Sequence, residues 1–276
     1  MSNRLIGYQS GQGFLYGLSG ASKMIFFILV SVACMATYDP RFILVIGFLS
    51  IYLFKRANIR WKDVSFVIEI IGAVALFNLV MVYLFDPSYG EEIYGAKTVL
   101  VEGWGRFYLT SQEIFYLANL LLKYFSTVPL AILFLMTTHP SQFAASLNQI
   151  GLPYKFAYSV SLTLRYIPDV QEEFFTIRKA QEARGLDLSK KAGLVKRIRG
   201  NLQIVLPLIF SSLERIDTIS TDIELRRIGR YKKRTWYVHK SLTKQDYLVI
   251  LLAFLLLGIS IGLIFLNQGR FYNPWL

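Results

Sequence analysis

Two arginines end two charged stretches of this chain. One closes Lys179-Ala180-Gln181-Glu182-Ala183-Arg184-Gly185, and the other sits in Glu224-Leu225-Arg226-Arg227. A guanidinium is a permanently charged, planar fork of donors. At a helix tip it can bond carboxylates or carbonyls in a partner's pocket. The same residue suits the last turn of any helix, where its charge offsets the dipole, and Gly185 is a natural residue just past a helix end. Capping accounts for Arg184 taken alone. It accounts less well for a pair in a basic region without a core of its own. Both readings stand at this level.

Other chemistry is sparse. No G-x-x-x-x-G-K-[ST] phosphate loop occurs, and Gly17-Leu18-Ser19-Gly20-Ala21-Ser22-Lys23 has the wrong spacing. Nucleophile elbows and H-E-x-x-H helices are missing as well. Cys34 is the single cysteine, so an internal disulfide or multi-thiolate metal site is excluded. His139 and His239 are too few for a histidine-rich metal centre. The expectation is therefore a chain without a cofactor, metal or nucleotide site of its own, so that any energy source for transport must come from a partner. A membrane-embedded enzyme acting on lipid or prenyl substrates is the alternative, using His139, Asp169, Glu172 and Glu173. Those carboxylates lack the D-x-x-D clustering of metal-phosphate chemistry. Glu69 and Lys123 lie within apolar runs, where charge is costly and often functional. Isolated single charges form no relay, so Glu69 reads as an edge residue and Lys123 as snorkelling or paired.

The elements that carry these residues belong to a membrane protein. Of 276 residues, 54% are hydrophobic and 17% charged, against roughly 25% charged in soluble proteins. Net charge is +12. Its location between apolar spans suits cytoplasmic loops better than a nucleic-acid surface, so no nucleic acid is expected. Apolar runs at 24–37, 42–54, 64–85, 114–136 and 247–266 predict five spans, with the N-terminus inside and the C-terminus outside. Ser31-Val32-Ala33-Cys34 reads as a small-residue stretch within the first of them. Lys55, Arg56, Arg60 and Lys62 mark a cytoplasmic edge, and the acidic loop 86–113, with Glu102 and Arg106, suits the outside.

Most of the positive charge falls in 137–245. This region holds apolar patches at 156–167 and 202–213 that are too short or interrupted to span. Their helical period, with Leu152, Phe156, Leu162, Leu164, Leu206 and Phe210, suits helices lying against a membrane or partner. Pro168 and Pro207 each punctuate the pattern, giving twice the order helix, proline, amphipathic helix, arginine. The chain thus divides into transmembrane helices in 1–136, a cytoplasmic or interfacial region in 137–245, and a last transmembrane helix in 246–276. The fold class is an all-α membrane protein.

Gly151-Leu152-Pro153, Leu164-Arg165-Tyr166-Ile167-Pro168, the stretch 179–185, Pro207 through Arg227 and the tail Lys232-Lys233-Arg234-Thr235-Trp236 together carry a resemblance. In their order and spacing the chain resembles the transmembrane T component of energy-coupling factor transporters, the EcfT or CbiQ family. The resemblance implies a non-catalytic scaffold in the cell membrane of a prokaryote, with a cytoplasmic region of two coupling helices. It implies two ABC-type ATPase partners that bind ATP, docked at Ala183-Arg184-Gly185 and Leu225-Arg226-Arg227. The second motif departs from Ala-Arg-Gly, with leucine and arginine at its flanks. A small membrane S component would bind the vitamin or metal ion and rest on the apolar helix faces, at Leu152, Phe156, Leu162, Leu164, Leu206 and Phe210. Membrane lipids complete the partners. A plain anchor without coupling shares most of these features.

Overall fold

The fold follows from how each helix is started and stopped. The computed structural model describes residues 11, 13–101, 107–186, 193–228, 230, 235, 236, 238 and 240–275. Glu102, Arg106, Lys232, Lys233, Arg234 and His239, read above from sequence, lie outside the described residues. The chain divides into two units: 1–139 together with 240–276, and 140–239.

In the first unit a short turn α1 (Phe14–Gly17) precedes α2 (Gly20–Ala36) and α3 (Pro40–Arg56). Ser19 caps α2 by accepting from the Ser22 amide, and Asp39 caps α3 from the Arg41 amide with Pro40 at the first helical position. Then follow α4 (Trp61–Phe85), α5 (Tyr89–Tyr94) and the antiparallel pair β1 (Val99–Val101) and β2 (Leu109–Thr110). The long helix α6 (Ser111–Thr137) completes this run. Its cap Thr110 accepts from the Glu113 amide. Among the described residues, α4, α6 and the last helix α10 (Lys244–Leu266) are long and apolar enough to cross a membrane. Helices α2 and α3 have 17 residues each, about 25 Å at 1.5 Å per residue, the lower end of what a bilayer core requires. All five expected spans are helices, each starting a few residues earlier than its apolar run.

The loop 86–113, expected to be a plain polar connection, contains α5 and the small β-pair. Glu113 Oε2 accepts from the Gly90 amide at 2.8 Å, and Gln112 Oε1 from the Thr98 amide at 3.1 Å. Gly90 is required by this approach: a Cβ there would come within 2.6 Å of the Glu113 backbone.

Two apolar clusters hold the unit. Phe26, Val30, Ala33 and Cys34 of α2 meet Phe42 and Ile46 of α3, Leu130 of α6, and Ala253 and Leu256 of α10. Near the other end Leu15, Leu18, Ala57, Ile59 and Val64 gather against Ile132, Leu133 and Met136. Small polar residues stitch the helices together. Ser126 Oγ donates to the Ile43 carbonyl at 2.8 Å, and Ser260 Oγ to Ala33 at 3.0 Å. Such bonds contribute about 0.6 kcal/mol each in membrane proteins. Lys23 Nζ donates to the Thr137 carbonyl at 2.7 Å.

One carboxylate ties the helix starts. Asp246 is fully buried. Its Oδ1 accepts from the Ser19 amide at 2.7 Å and the Ser22 hydroxyl at 2.6 Å, and its Oδ2 from the Thr243 amide and hydroxyl at 2.8 and 2.7 Å. With Thr243 it forms a capping box that begins α10 while also fixing the cap of α2. Lys123 is buried and paired. Its ammonium donates to the Met35 carbonyl at 3.1 Å and sits 3.1 Å from the Tyr38 ring centroid. Glu69 is exposed on α4.

The second unit contains α7 (Pro140–Gln149), α8 (Tyr154–Ala183) and α9 (Leu194–Leu225). Here the expectation of proline boundaries is corrected. Pro168 and Pro207 lie inside α8 and α9, which run through them. Proline removes one helical donor but keeps a helical φ. Both prolines are exposed, so water can take up the freed carbonyl. Pro153, by contrast, is the N-cap of α8.

Candidate docking tips and coupling surface

Both arginines are helix C-caps, and the two ends are built alike. At the first, Leu186 N donates to Gln181 O at 3.1 Å and Gly185 N to Glu182 O at 3.0 Å. At the second, Ile228 N donates to Ile223 O at 3.0 Å and Arg227 N to Glu224 O at 2.9 Å. Each is a Schellman motif, whose turn residue must be left-handed. Gly185 (φ 90) and Arg227 (φ 50) supply it. The departure of the second motif from glycine is thus a residue held in left-handed geometry, at a cost of roughly 1 kcal/mol. Helices α7 and α10 end the same way, with Leu152 N to Leu147 O and Gly269 N to Ile264 O. The motif by itself therefore marks a helix end rather than a docking site. What sets α8 and α9 apart is the arginine at the cap position, against Asn267 at the end of α10. Ala183, Arg184, Gly185, Arg226 and Arg227 are exposed, and Leu225 is 77% exposed, comparable with Leu266 at the α10 end.

A polar tie joins the two helices. Glu173 on α8 accepts from Arg215 Nη2 on α9 at 2.8 Å and from the Ser211 hydroxyl. The pair is partly shielded, and the Arg215 guanidinium lies 5.9 Å from the Tyr166 ring. Each tip arginine stands eleven residues beyond its helix's clamp residue, about 16 Å along the axis. The sequence could not announce this pair. Glu173 and Arg215 share no local spacing, and Glu173 reads from sequence as a carboxylate for the enzyme alternative.

The apolar faces are open as well. On α9, Leu202, Val205, Ile209, Leu213 and Ile216 follow the i, i+3, i+7 rhythm of one helix face and are each between 38% and 57% exposed. Leu206 and Phe210 flank this stripe at 51% and 63% exposed. On the other side, Leu152 and Phe156 are exposed, while Leu162 and Leu164 are half-buried. At 100° per residue Leu162 points well away from Phe156, so the structure does not gather all six expected contact residues on one face. At the start of α8, Tyr154 packs on Tyr158 and Trp236, and Trp236 Nε1 donates to Asn148 Oδ1 at 3.2 Å.

The carboxylates of the enzyme alternative lie together on α8. Asp169 and Glu172 are exposed and Glu173 is engaged with Arg215. Among the described residues no three His, Cys, Asp or Glu side chains form a group that could hold a metal ion.

The chain is similar to known proteins along nearly all its length. The CbiQ profile, described as a cobalt transport protein, matches residues 12–233. The energy-coupling factor transporter transmembrane protein EcfT of Exiguobacterium sibiricum is 27% identical, over 94% of this chain and 97% of that protein. The protein of the same name from Brevibacillus brevis is 26% identical, over 93% and 96%. That of Lactobacillus helveticus is 25% identical, over 96% and 95%. A profile match that takes in both arginine tips and most of the apolar helices shows that the chain belongs to the CbiQ family.

Proposed function

We propose that the chain is the transmembrane coupling component of an energy-coupling factor importer. It is a non-catalytic subunit of a prokaryotic cell membrane, with the second unit on the cytoplasmic side. Two ABC-type ATPase subunits bind and hydrolyse ATP. They dock on Ala183-Arg184-Gly185 and Leu225-Arg226-Arg227. A small membrane S component, which binds the vitamin or metal ion, rests on the apolar faces of α8 and α9.

The observation that carries this reading is the pair of alike, exposed tips joined through one clamp. A helix held partway along its length passes a displacement at its tip to its other arm. The guanidinium supplies a directional anchor that a partner pocket can bond bidentately. The basic balance of the chain also suits a surface beside anionic headgroups. The first test is a tagged pull-down from native membranes in mild detergent. Two ATPases and one small hydrophobic protein are expected. Recovery of the chain alone, or with enzymes of lipid metabolism, overturns the reading.

The clamp gives a second expectation. Glu173→Gln keeps an acceptor for Ser211 and removes the ion pair, worth about 1 kcal/mol in a partly shielded site. Transport should fall several-fold while the ATPases still co-purify. Spin labels on Ala180→Cys and Asp222→Cys, in a Cys34→Ser background, should report a broader tip-to-tip distance distribution. An unchanged distribution means the pair does not set the geometry of the tips.

A further inference from the structure

The first unit holds a groove that the coupling reading leaves unused. Ser31, Val32 and Met35 of α2 face Tyr124, Val128 and Ala131 of α6 across an open space of about 600 Å³. That is within the range of about 300–1,000 Å³ typical of clefts that take a ligand. The lining side chains recur at helical spacing along both walls, and the small Ala131 leaves the width. Val32 and Met35 are 51% and 47% exposed. The Ser31 hydroxyl is buried and has no partner among the described residues, which is costly in an apolar setting unless a ligand supplies an acceptor.

One end of the groove is cationic. Arg270 lines it, and its guanidinium is anchored on the last carbonyls of α2, donating to Ala36 at 3.1 Å and Met35 at 3.3 Å. Those bonds fix the group while it stays exposed with further donors to offer. Lys123 lies under the same Tyr38 ring that Arg270 approaches at 5.8 Å. Arg41 stacks on Tyr272 in the adjoining tail. Asp39 is the opposing charge in this corner, buried and already accepting from Asn267 and the Arg41 amide. The corner is therefore net positive.

We propose that this groove binds one anionic phospholipid. An acyl chain lies along Val32, Val128 and Ala131, the phosphate meets Arg270, and the Ser31 hydroxyl donates to an ester carbonyl about one turn deeper. The charge of the mouth selects the occupant. A partner helix brings no charge required at that point, and a zwitterionic lipid brings an ammonium that Arg270, Arg41 and Lys123 repel. The adaptable Met35 side chain suits a disordered chain.

The test is native mass spectrometry of the delipidated full chain in detergent, titrated with dioleoyl-phosphatidylglycerol or dioleoyl-phosphatidylcholine. One phosphatidylglycerol should be retained at a concentration at least fivefold lower than phosphatidylcholine. Arg270→Gln should remove that preference. Ala131→Phe should cut retention of both lipids at least fivefold, and it leaves the Arg270 carbonyl bonds in place, so it decides the matter even if Arg270→Gln unfolds the end of α2. Equal retention of the two lipids by the unaltered chain overturns the proposal, as does full retention by Ala131→Phe. Displacement of the lipid by glycerol phosphate alone shows a headgroup site without the groove. A photo-crosslinker at Val32 that captures a protein in native membranes makes the occupant a partner chain, and the lipid assignment falls.

Discussion

Arg184→Ala combined with Arg226→Ala is expected to abolish ATP-driven uptake and to release the ATPases from the purified complex. Each single change should weaken docking by about 2–4 kcal/mol, roughly 30- to 1,000-fold, if the guanidinium is desolvated in a partner pocket. The size of the effect comes from the partner. A pocket shaped for a charged fork keeps its own polar groups unpaired when the fork is gone. The fold should not notice. At both ends the cap bonds run between backbone atoms, so alanine at the cap position keeps them. Helical content and the thermal midpoint should match the unaltered chain. Gly185→Ala is the useful contrast, since it forces a Cβ into φ 90 and should loosen the tip itself by about 1 kcal/mol. Uptake that survives the double arginine change would remove these residues from the coupling reading and leave them as ordinary caps.

Asp246→Ala should be the most damaging single change in the membrane unit. The carboxylate is fully buried and receives four donors from two helix starts. Alanine strands the Ser19 and Thr243 amides, each costing about 1–3 kcal/mol when buried without a partner. The capping box of α10 and the anchor between α2 and α10 are lost together. A loss of about 3 kcal/mol is expected, read as a lower unfolding midpoint in detergent by tryptophan fluorescence. Asp246→Asn keeps one oxygen acceptor and the shape, and should fall between. A midpoint unmoved by alanine would show that the apolar packing of α2 on α10 is sufficient by itself.

The sequence announces the parts of this fold that depend on local pattern. The apolar runs became α2, α3, α4, α6 and α10, the first two from runs short of a full bilayer crossing, because a helix satisfies its own backbone groups in lipid. The first arginine end is legible because Gly185 is a strong stop signal, while the second has Arg227 in place of that glycine. Prolines misled, since Pro168 and Pro207 read as breaks, yet an exposed proline with a helical φ can be carried by a long helix. The outer β-pair was invisible, being made of three and two residues. What sequence could not give is pairing at a distance. Glu173 with Arg215, Asp246 with Ser19 and Lys123 with the Met35 carbonyl arise only when helices meet. Of the candidate site, the tips were legible, the clamp between them was not, and Leu162 lies off the face on which Phe156 sits.

The position of that clamp has a mechanical consequence. From Glu173 and Arg215 to the tips is about 16 Å on each helix. To the opposite ends, at Tyr154 and Leu194, the distances are about 28 and 31 Å. Two helices pivoting at that contact would act as shears with unequal arms. Each ångström by which the short arms close moves the long arms by roughly 1.7–1.9 Å, with force reduced in the same ratio. The long arms also carry Pro168 and Pro207, so the compliance sits on the side that travels further. In the coupling role proposed above, such a gearing would turn a strong, short stroke at the tips into a longer and gentler one at the far ends.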